Sequence, residues 1–144
     1  MQAIVTEPTL RTLELSDVGA IGRLAGLLGG VDTAADWRRR LRRDGGVVAI
    51  GAEEDGRLVG YVTGEVRAAF GLAAAGWVDA FGVDNEWRGR GVGRSLASAL
   101  LARFRELGAS RVYTLVPLHD RTLAPFFRDL GFRDEPLSCL GRAL

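Results

Sequence analysis

The stretch Asp84-Asn85-Glu86-Trp87-Arg88-Gly89-Arg90-Gly91-Val92-Gly93-Arg94 holds the residue types and spacing best suited to chemistry in this chain. Glycines at positions 89, 91 and 93 leave a turn without Cβ atoms, so consecutive backbone N–H groups can point into one concavity at the positive end of a following helix. Such a turn is built for an anion. A pyrophosphate fits, because two linked phosphates accept several N–H bonds at once and Arg88, Arg90 and Arg94 flank the turn with charge. The same glycines would also make a plain tight connection, with the arginines solvated. A dinucleotide fingerprint of the form G-x-G-x-x-G fails in both registers, since its last place is Leu96 counted from Gly91 and Arg94 counted from Gly89.

Composition removes other chemistries. The chain has 144 residues and 19 basic side chains, all of them arginine, against 18 acidic ones. Without lysine there is no Schiff-base chemistry and no phosphate loop ending in Gly-Lys. One histidine, His119, and one cysteine, Cys139, cannot assemble a zinc site of Cys and His ligands, so no metal is expected. A net charge of +1 is too even a balance to point to a nucleic-acid partner, and none is expected. No apolar run approaches the length that spans a bilayer, and a single cytoplasmic domain over residues 1–144 with no membrane partner is expected.

The glycine turn needs a strand before it and a helix after it. Trp77 to Val83 reads as that strand. Val92, Leu96, Leu100, Phe104 and Leu107 recur at helical spacing up to Gly108 and supply the helix. Upstream, Thr9 to Leu13 alternates as a first strand. Ser16-Asp17 then cap a helix carrying Val18, Ile21, Leu24, Leu27 and Leu28, which Gly29-Gly30 stop. A second helix runs from near Asp32-Thr33 through Trp37 and Leu41 to Asp44-Gly45-Gly46. Val47 to Glu53 and Leu58 to Thr63 flank Asp55-Gly56, a hairpin turn that accepts positive φ, and Phe70 to Gly76 reads as a loop. Arg111 to Val116 is a strand broken by Pro117. Asp120 caps a short helix over Thr122 to Leu130, and one or two closing strands are expected in Phe132 to Leu144. The pattern predicts an α/β (α+β) fold with a mixed sheet and helices on both faces.

Arg88-Gly89-Arg90-Gly91-Val92-Gly93 matches the R/Q-x-x-G-x-G/A motif of the GNAT acetyltransferase superfamily, set between a strand ending in valine and a helix. Gly131-Phe132, after a helix ending in Phe126-Phe127-Arg128-Asp129-Leu130, and Leu58-Val59-Gly60-Tyr61-Val62 also resemble that family's elements. The resemblance covers nearly the whole chain. It implies a mostly antiparallel sheet whose fourth and fifth strands splay apart, and acetyl transfer from acetyl-CoA, as co-substrate, to an amine acceptor that is a small molecule or peptide. Backbone groups of Phe81, Gly82 and Val83 would hold the pantetheine and thioester, with an N–H near Val83 polarising the carbonyl. Those of Gly89, Arg90, Gly91, Val92, Gly93 and Arg94, beside Arg88, would cradle the pyrophosphate. Asp120 stands where many members carry a coenzyme-side asparagine, and homodimers are common in the family.

Proton handling is less legible. An alkylammonium must lose a proton before its nitrogen can attack a thioester. Asp79, four residues before Val83, is the candidate base; it reads equally as an edge carboxylate paired with an arginine. His119 and Glu65 are further candidates. The tyrosine that many members use as the acid is Phe127 here, which motivates an alternative, an acyl-CoA-binding or regulatory module without turnover. The run Arg38-Arg39-Arg40-Leu41-Arg42-Arg43 reads either as a steering surface for an acidic acceptor or nucleic acid, or as a solvated helix face anchored by Trp37 and Leu41.

Overall fold

The computed structural model describes residues 7–27, 33–42, 46–69 and 71–144. Chain order is β1 (Thr9–Thr12), α1 (Val18–Leu27), α2 (Ala34–Arg42), β2 (Val47–Glu54), β3 (Arg57–Ala69), β4 (Leu72–Val83), α3 (Val92–Glu106), β5 (Val112–Thr114) and α4 (Leu123–Asp129). The strands form one sheet in sequence order, antiparallel throughout except for β4 and β5, which run parallel. Leu28, Gly29-Gly30, Asp32, Arg43, Asp44-Gly45 and Phe70, on which parts of the sequence reading rest, lie outside the described residues.

Each face of the sheet carries its own apolar layer. Val48, Ile50, Val62 and Val83 pack under Leu96, Leu100 and Phe104, the buried stripe of α3. On the opposite face Ala49, Leu58 and Tyr61 meet Val18, Ile21 and Leu24 of α1 and the fully buried Trp37 of α2. The expected sheet with helices on both sides is therefore present. Asp55 and Gly56, at φ 50° and 74°, make the β2–β3 turn as the sequence predicts. Asp120 caps α4, its Oδ1 accepting from the N–H groups of Thr122 and Leu123, both at 3.0 Å. No helix among the described residues is long and apolar enough to cross a membrane.

Two sequence expectations are corrected. The loop expected over Phe70 to Gly76 is mostly a continuation of the β3–β4 hairpin, with Arg67 opposite Ala75 and Ala69 opposite Leu72. Alanines favour strands weakly, but a partner strand that satisfies their backbone groups is enough. The closing strands expected in Phe132 to Leu144 are absent: no strand follows α4, and Leu137, Leu140 and Leu144 are exposed. Pro136 cannot donate to a ladder, and β5 is only three residues long, so it offers little edge to pair with.

Two irregularities in β4 shape the centre of the molecule. Thr63 of β3 pairs with Ala80, but the next residue, Gly64, pairs with Val78, so Asp79 is an extra residue in a bulge. β5 pairs with β4 only at Gly76, Trp77 and Val78. From Asp79 to Val83, β4 runs on beside no fifth strand, which is the splay that the family resemblance implies.

Ser16-Asp17 act differently from a simple helix cap. Asp17 sits in a 3-10 turn leading into α1; its Oδ2 accepts from the Glu14 N–H at 2.7 Å, and Arg11 of β1 grips both its oxygens at 2.8 Å. The Arg11 guanidinium holds the Asp17 carboxyl below the usual carboxylate range. Because the folded-state pKa is depressed, this stabilisation is present above the unfolded value near 4 and lost as pH falls through the folded value. Asp17→Asn is expected to lower unfolding free energy by roughly 1–3 kcal/mol at neutral pH, and the gap from the parent should close below about pH 4. Urea unfolding at a series of pH values measures it; a pH-independent gap would contradict the ion-pair account.

Candidate active site

The glycine turn joins the open end of β4 to α3. Asp84 ends the strand: it is buried, its Oδ1 accepts from the Glu86 N–H at 3.0 Å, and its Oδ2 accepts from Arg57 at 3.1 Å. Gly91 is the N-cap of α3 at φ 82° and offers no side-chain cap. The first helical bond is Ser95 N–H to Gly91 O at 3.0 Å, so the amides of Val92, Gly93 and Arg94 precede any carbonyl partner within the helix. They stand at the positive end of a 15-residue helix, where the helix dipole favours negative charge.

The glycines of the motif serve two purposes. At Gly91 a Cβ would meet nothing within 4 Å, and the demand is the left-handed φ. Gly93 is helical, and a Cβ there would lie 2.9 Å from Cζ of Phe81 and 3.3 Å from Cε2 of Phe126. Phe81 and Phe126 are stacked at 4.9 Å, so the start of α3 rests on an aromatic pair contributed by β4 and α4. Of the arginines, Arg90 lies over the Trp87 ring at 4.7 Å, Arg88 Nε reaches toward Val83 O at 3.4 Å, and Arg94 is exposed.

The edge of β4 can be assigned by alternation. Asp84 N–H donates to Val59 O of β3 at 2.8 Å, which turns the amides of Val83 and Phe81 away from β3 toward the side that β5 does not reach. Gly82, between them, directs its backbone groups to Tyr61 of β3. Phe81 and Val83 therefore present main-chain groups to the splay, and Gly82 does not.

On the opposite face of the sheet, the bulge opens into a cavity of about 370 Å³ lined by Thr63, Glu65, Arg67 and Asp79, with Arg40 and Leu41 of α2 on its far wall. Arg67 holds Asp79 through both oxygens, at 3.1 and 3.2 Å, lies 3.5 Å from Glu65 Oε2, and stacks over Trp77 at 5.2 Å. Two carboxylates and a guanidinium thus meet beside the bulge. Register in the β3–β4 hairpin brings Arg67 to Asp79; the sequence shows that an arginine could pair there but not which one.

A family model described as the acetyltransferase (GNAT) family matches residues 25–132. The chain belongs to the GNAT acetyltransferase family. It is 33% identical over 141 residues to a glucosamine 6-phosphate N-acetyltransferase of Trypanosoma brucei brucei, a match covering 90% of this chain and 91% of that one. A solved acetyltransferase of Trypanosoma brucei superposes with a TM-score of 0.73 at 27% identity, covering 94% of this chain and 99% of that one. An aminoglycoside N-acetyltransferase solved in complex with CoA gives a TM-score of 0.81 at 18% identity, over 94% and 99% of the two chains. As a GNAT protein the chain is an acyltransferase.

Other sequence candidates of this GNAT enzyme fall elsewhere. His119 is exposed in the loop after β5 and does not line the cavity of Asp79 and Glu65. Asp120 commits Oδ1 to capping α4, and those N–H bonds hold its carboxyl below the usual range. Phe127 is buried among Phe81, Phe126 and Phe132, in a wall with no hydroxyl to give. On α2, Arg40 sits over Trp37 at 4.7 Å and joins the cavity wall, Arg39 lies 3.5 Å from Asp36, and Arg38 and Arg42 are exposed.

The two glycine roles separate in a double-mutant cycle. Gly93→Ala is expected to cost roughly 1–3 kcal/mol by overpacking, and much of that cost should vanish in a Phe81→Leu background. Gly91→Ala costs roughly 1–2 kcal/mol through its φ, with no relief from Phe81→Leu. Denaturant unfolding of the four variants and their parents checks this; identical coupling at both glycines would refute it.

Proposed function

We propose that this GNAT enzyme moves an acetyl group from acetyl-CoA to a primary amine of a small-molecule acceptor by direct attack. The observation that carries the reading is continuity: the open edge of β4 leads at one end into the amides that begin α3, and at the other into the bulge that carries Asp79. An extended amide-bearing arm ending in a pyrophosphate suits such an edge and cradle, the arm pairing with a strand edge and the diphosphate accepting from a helix N-terminus. Acetyl-CoA, when bound, supplies an acetyl thioester whose carbonyl carbon forms a C–N bond as its C–S bond breaks. Names of relatives agree with an amine acceptor, since the Trypanosoma relative is a glucosamine 6-phosphate N-acetyltransferase.

In this reading the amides of Phe81 and Val83 hold the arm, and the one near Val83 donates to the carbonyl oxygen as charge develops on it. Asp79 takes one proton from the acceptor ammonium, directly or through water, and passes it to solvent. The nitrogen loses its second proton as the amide forms, and the departing sulfur gains one from water. Phe127 cannot supply that proton. A thiol of ordinary acidity leaves without an acid, so turnover survives the missing tyrosine.

The buried Phe127 also favours a second reading, an acyl-CoA-binding module without turnover. Release of free CoA thiol in the presence of a panel of amines separates the two; heat of CoA binding without product would leave only the module. Asp79→Asn is expected to lower kcat by roughly a hundredfold or more while KM for acetyl-CoA stays near the parent value. Glu65→Gln is the control for a purely electrostatic effect. Unchanged kcat in Asp79→Asn would move the base elsewhere.

A further inference from the structure

Among the described residues two buried side-chain polar atoms have no hydrogen-bond partner, Trp37 Nε1 and Thr63 Oγ1. Their settings differ. Trp37 is fully buried between α1 and the sheet, edge-on to Tyr61 at 5.3 Å, and does not line the acceptor-side cavity. Thr63 is only 3% exposed yet forms part of that cavity's wall.

Across the sheet, the neighbours of Thr63 are Ala49 of β2 and Ala80 of β4, whose side chains carry no polar atom. Main-chain groups of β3 are committed to strands on both sides. A valine would fill this position without burying an unpaired hydroxyl, and the hydroxyl costs stability that a methyl would not. Glu65 lies two residues along the same face of β3, and Asp79 adjoins Ala80, the partner of Thr63. Whatever completes Thr63 therefore lies next to the group that meets the carboxylates. A cavity of this size suits one small molecule.

We propose that Thr63 reads the acceptor: its hydroxyl is completed by a hydroxyl carried on the carbon next to the amine-bearing one, so the acceptor is a vicinal amino alcohol rather than a plain alkylamine. Oγ1 is itself buried, so a partner in the cavity meets it only after the Thr63 side chain turns about χ1. The hydroxyl both donates and accepts, which matches an alcohol in either sense. The proposal rests on the acetyl-transfer reading above and adds the chemical class of the acceptor.

The test uses aminocyclohexanol with neighbouring amine and hydroxyl, matched against cyclohexylamine, on the parent, Thr63→Val and Thr63→Ser. The parent and Thr63→Ser should favour the amino alcohol in kcat/KM by about tenfold, the worth of one neutral hydrogen bond. Thr63→Val should erase the preference, leave KM for acetyl-CoA unchanged, and melt no lower than the parent, where a merely structural threonine would melt lower. The amino alcohol should also raise the melting temperature of the parent more than cyclohexylamine does, a difference lost in Thr63→Val. If both amines are acetylated and Thr63→Val keeps the parent's preference, the hydroxyl serves a buried water only and the proposal is overturned. If neither is acetylated but the melting shifts behave as stated, Thr63 reads the ligand and the transfer reading fails. Absence of both turnover and shift overturns the proposal.

Discussion

The bulge at Asp79 is the constraint from which the site follows. Strict alternation from Val78 would send Ala80 to the α3 face and Phe81 to the α1–α2 face. One inserted residue reverses that parity. Asp79 opens onto the cavity, Ala80 packs beside α1 and α2, and Phe81 and Val83 return beneath α3. The same insertion falls where β5 stops pairing, so a carboxylate-lined hollow and an open strand edge back onto one another through a single strand.

Aromatic packing holds this arrangement. Phe81 and Phe126 press against the backbone of Gly93 and tie α4 and β4 to the first turn of α3, while Phe127 and Phe132 complete the wall. A tyrosine at 127 would need a partner for its hydroxyl. The phenyl ring there needs none, and the wall stays apolar.

Much of this is legible in the sequence. The stripe Val92, Leu96, Leu100, Phe104 marks α3 because its period matches one helix face, and Asp55-Gly56 marks the hairpin because few other pairs tolerate two positive φ values. What stayed hidden depends on partners far along the chain. Nothing in Trp77 to Val83 signals a bulge, since an apolar run of that length reads the same with one residue more or less. The ion pair of Arg67 with Asp79 exists only through the hairpin register, and Gly93 looks like its neighbours until Phe81 is placed against it. Thr63 carries no sequence signal, because β-branched residues are ordinary in strands.

The unpaired margin of β4 has a further consequence for how the protein survives in a crowded solution. A run of exposed amides and carbonyls is a template on which any stray extended chain can grow, and proteins commonly blunt such margins with charge or cover. In the acetyl-transfer reading, blunting would also shut out the coenzyme arm. Two side chains crowd this margin: Arg88 Nε donates to the Val83 carbonyl at its end, and the Phe126 ring stacks on Phe81 midway along it. Protection against self-association therefore rests on these neighbouring side chains rather than on a covering strand.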